Sequence, residues 1–401
     1  MVCRPAQAAG TAVEEVSAPA GFDPASADGL RRLAATYGSP LLVIDAQRVR
    51  AQYRRLEAAL PGVVLHFALK PMPHPAVVRV LRDAGACFDL ATDGEIDLVR
   101  RAHIEPGRCI HTHPIKRESD IRTALAYGIE TFVADNPDEI RKFAKHRHRA
   151  RLLIRVAFRS AEAVCDLSRK FGCDPEDALA LVEFARSLGI GVRGFSFHVG
   201  SQAGGPGMHV AAIEACTRLL EAAATRGERC DLLDIGGGFP VDYRRAAMPI
   251  EEFCAPLCGA LARLPQGVRA IAEPGRFVVA PAGIAVASVM GRAKRDGRWW
   301  YYLDDGLYGS YSGRLFDHAE YPIEALERTG ERQRSVLAGP TCDSIDVIDE
   351  DIALPLLEIG DLVVGRSMGA YTWASATEFN FFPKASVIAV DRGQVIEEEE
   401  T

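Results

Sequence analysis

The run Val64-Leu65-His66-Phe67-Ala68-Leu69-Lys70, followed at once by Pro71-Met72-Pro73, has the apolar texture of a buried strand but ends in a lysine. A lysine closing such a strand is costly unless a partner or a covalent role accounts for it. It can snorkel to water, or it can be a desolvated amine, whose lowered pKa frees the lone pair for an aldehyde. Its neighbours decide between these readings.

Around this strand the chain keeps a regular beat. Short apolar runs begin near Val64, Cys87, Cys109, Thr131, Arg151, Gly194, Leu232 and Ala270, with helical periodicity between them, as in 76–84, 94–102 and 174–188. Eight strand–helix units predict a closed (β/α)8 TIM barrel rather than an open doubly wound sheet. The runs finish on Lys70, Asp89, His111 with His113, Asn136, Arg155, His198, the glycines 236–238, and Glu273 with Arg276. The carboxyl ends of barrel strands share one mouth, so these side chains are expected in one pocket.

Before the barrel, 27–37 reads as a helix and Leu41-Ile44 as a strand, with Asp45 as N-cap of the next helix. After Arg276 the pattern changes to β-branched and aromatic runs: Val278-Val279, 284–289, 300–303, 336–338, 362–364 and 385–390. The expected organisation is a disordered N-terminus over 1–24 and a barrel over 45–276. A mostly β, barrel-like C-terminal domain over 277–401 is expected to take in 25–44. The acidic run Glu397-Glu398-Glu399-Glu400 reads as a solvated end.

The 401 residues carry a formal net charge of −7, which argues against a nucleic-acid binder. Ten cysteines without a Cys-x-x-Cys pair read as reduced thiols of a cytoplasmic protein. The N-terminus lacks the apolar core of a signal peptide, and no run is long enough to span a membrane.

Leu232-Leu233-Asp234-Ile235-Gly236-Gly237-Gly238-Phe239-Pro240 is a strand opening into three glycines, whose amides can curl around an anion. It lacks the signatures of a P-loop or a dinucleotide fold. Arg276 can fork onto the same anion. A phosphate with no nucleotide signature, facing a strand-end lysine, points to pyridoxal 5′-phosphate. Glu273, a carboxylate beside the pyridine nitrogen, can then keep that nitrogen protonated, making the ring a better electron sink. His198 can stack on the ring while Ser201 bonds the phosphate. The rival reading is a metal hydrolase, because His111-Thr112-His113 has ligand-like spacing on one strand face. Asp89, Asn136 and His198 do not complete a recognised ligand set, so no metal is expected.

Five segments, 67–70, 88–95, 198–202, 236–240 and Glu273-Pro274-Gly275-Arg276, together resemble the pyridoxal-phosphate-dependent basic amino acid decarboxylases of the alanine-racemase fold (fold type III). The likeness runs from about Tyr37 to Val390. The segments 304–310, 315–318, Gly339-Pro340-Thr341-Cys342-Asp343-Ser344 and Gly369-Ala370-Tyr371-Thr372 bring it nearest to the ornithine/lysine decarboxylases, the ornithine decarboxylases above all. The resemblance implies a homodimer with shared active sites and a role in polyamine biosynthesis. Lys70 would bond the cofactor aldehyde, Glu273 the pyridine nitrogen, and His198 the ring face. Ser201, Gly236, Gly237, Gly238, Gly275, Arg276 and Tyr371 would hold the phosphate, with Asp89, Glu95 and Arg155 lining the Lys70 side. Cys342 and Asp343 would reach in from the partner, Cys342 to return a proton to Cα. Asp317 and Asp343, beside Phe316 and Tyr371, would bind the distal ammonium of the substrate.

Diaminopimelate decarboxylases have Glu where Asp343 stands, so diaminopimelate falls behind ornithine, lysine and arginine. Racemization on the same cofactor and a non-catalytic regulator like antizyme inhibitor are further alternatives; the regulator reading conflicts with the intact Lys70 and glycine run. Three positions depart from the eukaryotic pattern: Phe381 for glycine, His113 for asparagine, and Phe316 for tyrosine. The polar segment 165–172 is expected to be a lid.

Overall fold

Eight short runs with inward and outward faces solve their burial problem by closing on one another. A computed structural model of the chain describes residues 22–158 and 169–396. Strand β1 is Leu41–Asp45. The barrel strands follow: β2 Val64–Ala68, β3 Cys87–Leu90, β4 Cys109–His111, β5 Thr131–Ala134, β6 Arg151–Val156, β7 Gly191–Phe197, β8 Leu232–Asp234 and β9 Arg269–Ala272. Each pairs in parallel with the next, and β2 pairs with β9 to close the barrel.

Helices join these strands with local signals that explain their starts. Helix α1 (Ala27–Tyr37) is capped by Ser26, and α2 (Ala46–Ala59) by Asp45, whose carboxylate accepts from the Arg48 amide. Helix α3 (Pro75–Asp83) starts on a proline, and α4 (Asp93–Arg101) is capped by Thr92. Inside the barrel, Ile110, Val133, Leu153, Leu232 and Ile271 form an apolar plug. Fully burying each such side chain contributes about 1.5–3 kcal/mol. The plug makes the barrel a packed floor, not a pore, and confines polar chemistry to one mouth.

The second sheet contains β1 with β10 (Gly283–Arg295), β11 (Arg298–Leu303), β12 (Ile323–Ala325), β13 (Gln333–Ala338), β14 (Val347–Leu354), β15 (Leu362–Arg366), β16 (Ser386–Asp391) and β17 (Gln394–Val395). Its main path runs β14-β13-β11-β10-β1-β16-β17, with β15 pairing to β10 and β12. Strand β1 runs antiparallel to β10 and parallel to β16, so a segment that precedes the barrel in sequence is built into the sheet that follows it.

Two expectations need correction. Val278-Val279 is not a strand but lies in a short helix, Arg276–Val279, buried on every residue. Its β-branched pair packs into the core as that helix leaves β9. Strand β14 went unread because Asp349, Glu350 and Asp351 interrupt its apolar pattern; Asp349 is buried and ion-paired to Arg244. The expected disorder over 1–24 concerns mainly residues 1–21, outside the described residues, as do the acidic end and 165–168 of the expected lid. No helix among the described residues is long and apolar enough to cross a membrane.

Candidate active site

The strand ends surround a cavity of about 430 Å³. Lys70, Asp89, Arg155, His198, Ser201, Gly237, Gly238, Glu273, Gly275, Arg276, Phe316, Asp317 and Tyr371 all line it, as do Thr112, His113 and Phe171. Lys70 lies two residues past β2. The β2 end is held by the Ala68 amide donating to the Pro274 carbonyl (3.1 Å) and the Leu69 amide to that of Asp89 (3.3 Å). Lys70 keeps accessible surface, but it faces this cavity and an adjoining groove shared with Thr92 and Glu95, and protein crowds it enough to desolvate it.

The amine does not behave as the sequence suggested. Burial opposes its charge, but Tyr371, Asp89 and Glu273 outweigh burial and Arg155, and its pKa is raised above the usual lysine value. A lysine ringed by acids is a different object from a lysine in an apolar slot.

On one side of Lys70, Asp89 accepts from the Thr112 hydroxyl (2.5 Å). Burial, then the charge of Glu273, pushes its carboxyl well above the usual range. Glu95 accepts from the Ala91 amide (2.5 Å) at the start of α4, on the groove side rather than in the cavity. His198 accepts at Nδ1 from the Gly200 amide (3.0 Å), which leaves Nε2 to carry the proton. Burial, then Lys70 and Arg155, hold it well below the ordinary histidine pKa, so the ring is neutral and able to stack.

The glycine run is shaped for close approach. Gly236 (φ 65°) and Gly238 (φ 98°) are left-handed, and a Cβ there would sit 2.3 Å from the Phe197 carbonyl and 2.4 Å from the Gly200 carbonyl. At Gly237 a Cβ would lie 2.7 Å from the Glu273 carbonyl and 3.2 Å from His198 Nε2. Gly237 and Gly238 face the cavity, whereas Gly236 packs behind them. Opposite, Arg276 Nε and Nη2 both reach Ser201 Oγ (3.1 and 2.9 Å), and Nη1 donates to the Tyr243 hydroxyl (2.7 Å). Nη2 also donates to Asp317 (2.6 Å), and the guanidinium lies 4.7 Å from the Tyr371 ring centre. Tyr371 holds a left-handed backbone (φ 54°), a strained state for a bulky residue, fixed by its amide donating to the Pro71 carbonyl (3.0 Å).

The remaining expectations divide. Asp317 reaches the cavity, but paired to Arg276. Cys342 and Asp343 line no part of the cavity of their own chain; Cys342 is exposed, with its Sγ 3.1 Å from Asn380 Oδ1, and Asp343 is half-buried. The Tyr308 hydroxyl, donating over 2.5 Å, holds the Asp343 carboxyl below its usual pKa. His111 and His113 do not share a face. The strand ends at His111, which packs against Phe132 at 5.8 Å, while Thr112 turns to the site and His113 meets Phe171 at 5.6 Å. Of the expected lid, Phe171 forms cavity wall and the Gly172 amide donates to Asp135 (2.8 Å). The sequence reading missed Tyr243, Thr112, Asp234 and His209. His209 braces the glycine run from behind through Nε2 to the Gly237 carbonyl (3.0 Å). Only Asp234 carried a signal, the inward alternation of β8 with Leu232.

The parts of pyridoxal phosphate each find a complement. The glycine amides, Ser201 and Arg276 can hold its phosphate, Glu273 its pyridine nitrogen, His198 its ring face and Lys70 its aldehyde. The family model for the pyridoxal-binding domain of pyridoxal-dependent decarboxylases matches residues 46–280. A lysine/ornithine decarboxylase of Vibrio vulnificus, solved with putrescine, has 52% sequence identity and a TM-score of 0.88, covering 91% of this chain and 98% of that one. A lysine/ornithine decarboxylase of Selenomonas ruminantium is 35% identical over 360 residues, 90% of this chain and 91% of its own length. The arginine decarboxylase of a Paramecium bursaria Chlorella virus has 28% identity and a TM-score of 0.87, covering 91% of this chain and all of that one (100%). With a barrel mouth built for this cofactor and a match spanning both domains of its relatives, the chain belongs to the pyridoxal-phosphate-dependent decarboxylases of basic amino acids.

Proposed function

We propose that the enzyme decarboxylates L-ornithine to putrescine and L-lysine to cadaverine, in the cytoplasm, as a step of polyamine biosynthesis. The observation that carries the reading is the acidic character of the substrate end. Asp317 lines the same cavity as Lys70, and Asp343 is a half-buried carboxylate whose ionised form Tyr308 favours. Two carboxylates suit a chain that ends in an ammonium and offer no cation to a second carboxylate, which disfavours diaminopimelate. The 52%-identical neighbour was solved with both putrescine and cadaverine.

The placement of each group supports the following roles. When bound, the cofactor supplies an electron sink for the pair left on Cα as carbon dioxide departs. Lys70 would anchor the cofactor through its aldehyde, and neutral His198 would cover the ring face and keep water from it. Arg276 would hold the phosphate, and Asp317, its ion-pair partner here, would be available to the substrate ammonium. Cys342, which is exposed and lies outside the cavity lining of its own chain, would return the proton to Cα from the partner subunit. The sheet domain (25–44 with 277–401) would form the homodimer interface, and 45–276 the cofactor barrel.

Parallel assays of carbon dioxide release from ornithine, lysine, arginine and diaminopimelate test the substrate. Ornithine and lysine differ by one methylene, so their kcat/KM values should fall within about 200-fold of each other. Faster turnover of arginine or diaminopimelate than of both overturns the assignment. Mixing Lys70→Ala with Cys342→Ala protein tests the sharing of sites. Random exchange of subunits should restore about one quarter of wild-type activity, from one intact site in each mixed dimer. No restoration after demonstrated exchange means that sites are not shared.

A further inference from the structure

Below the pyridine end of the cavity lies a carboxyl group that no cofactor role absorbs. Asp234, the last residue of β8, is fully buried, with 0% of its surface exposed. Its Oδ1 accepts from the Gly236 amide (2.9 Å), the first amide of the glycine run. Among the described residues its Oδ2 has no N–H or O–H donor. The group it meets there is the carboxyl of Glu273, itself only 7% exposed. Two ionised carboxylates are acceptors only, so face to face in a buried site they would repel and leave their oxygens unsatisfied. One proton between them turns that repulsion into a charge-assisted hydrogen bond.

The surrounding charges indicate which acid holds the proton. Asp89, Asp234 and Glu273 face Lys70 and Arg155 in this layer, with His198 neutral beside them. Asp135 also faces Arg155 and Glu95 faces Lys70, so acids outnumber cations here and a proton on one buried acid lowers the excess. Asp89 has the Thr112 hydroxyl and the attraction of Lys70, whereas Asp234 Oδ2 has only another acid. Ser196, its register partner on β7, is also buried with its hydroxyl unpartnered and does not supply a donor.

We propose that Asp234 is a neutral carboxylic acid that donates its proton from Oδ2 to Glu273 while its Oδ1 fixes the Gly236 amide, making it the positioning residue that joins the two ends of the cofactor site. Through one side chain the strand end sets both the turn of the phosphate cradle and the orientation of the acid aimed at the pyridine nitrogen. Burial and the charge of Glu273 push the Asp234 carboxyl well above its usual range, in the same sense. The inference rests on reading Glu273 as the partner of the pyridine nitrogen.

The test uses Asp234→Asn, whose amide can still donate to Glu273 and accept from Gly236, against Asp234→Ala, which can do neither. Apoenzyme is titrated with pyridoxal 5′-phosphate and the bound cofactor followed by its absorbance. Asp234→Asn should bind within about threefold of wild type, and Asp234→Ala roughly 10- to 100-fold more weakly, the cost of stranding buried partners. Equal binding by Asp234→Ala and wild type overturns the proposal. So does an Asp234→Asn protein as weak as Asp234→Ala, because a negative charge would then be what matters.

Should Asp234→Ala not fold, infrared spectra of apoenzyme at neutral pH decide the matter. The wild-type minus Asp234→Asn difference should contain the carbonyl band of a protonated carboxyl, and an ionised carboxylate band in its place refutes the claim. Glu273→Gln separates the underlying reading. If that variant leaves cofactor affinity and absorbance unchanged, Glu273 is not the pyridine partner, while the infrared band still reports where the Asp234 proton lies.

Discussion

The two ends of the cavity are built on opposite plans. At the cofactor end, Lys70, Glu273, His198, the glycine run and Arg276 come from barrel strand ends of one chain, and His209, Tyr243 and Asp234 brace them from behind. At the substrate end, Phe316 is 63% exposed and Phe381 98% exposed, and Cys342 and Asp343 point away from their own cavity. The first end is over-determined by close backbone packing, and the second is the more exposed of the two. Chemistry shared by many enzymes sits where the fold is rigid; the choice of substrate sits where the fold is loosest.

The largest expected effect breaks the first end outright. Lys70→Ala should lower turnover by at least about 10³-fold, with the melting temperature nearly unchanged, because the side chain borders a cavity and not the apolar core. Retained turnover would remove the basis of the comparison.

Acid should damage the braced end next. Burial holds His66 and His209 down to about 4, against about 6.5 in the unfolded chain. Unfolded chain therefore binds more protons between those values, and stability rises with pH across that window. The contribution is complete above pH 6.5 and is lost as pH falls toward 4, at up to about 3 kcal/mol for each ring. His209→Phe should flatten the pH dependence of the melting temperature and loosen cofactor binding, since the Gly237 carbonyl loses its donor. A variant as acid-sensitive as wild type would assign the loss to other groups.

A smaller effect should appear at the open end and there alone. Asp343→Asn should raise KM for ornithine about tenfold while leaving cofactor affinity unchanged. A parallel fall in cofactor affinity would show that the two ends are not separate.

The smallest prediction concerns Phe381, which takes a left-handed backbone (φ 62°), a conformation that favours glycine. That conformation costs a non-glycine residue about 1–2 kcal/mol. Phe381→Gly should stabilise the chain by about 1 kcal/mol in denaturant melts at protein concentrations that favour monomer. Destabilisation there would mean that the ring packs within its own chain.

The same contrast explains what could be read from the residues alone. Parallel strands buried on both faces give apolar runs, so all eight barrel strands were legible in the order of the residues. Not every polar end belongs to the pocket: Asn136 accepts from the Glu139 amide as a helix cap and His111 is buried against Phe132, both outside the cavity lining. The glycine run was equally plain, because only glycine fits where a Cβ would meet the Phe197, Gly200 and Glu273 carbonyls. The second sheet was harder, since β14 is broken by an acid whose partner, Arg244, lies far away in sequence. Val278-Val279 misled because β-branched residues mark burial as well as strands. The pairings Arg276–Tyr243, Thr112–Asp89 and His209–Gly237 join distant segments that no local pattern connects. Cys342 and Asp343 were found only through resemblance, for nothing in their own surroundings distinguishes them.

The most direct test of the account is chemical. Holoenzyme is reduced with borohydride, digested, and the pyridoxyl-bearing peptide identified by mass spectrometry. The account predicts one modified residue, Lys70; a label on any other lysine, or none in protein that retains the cofactor, contradicts it.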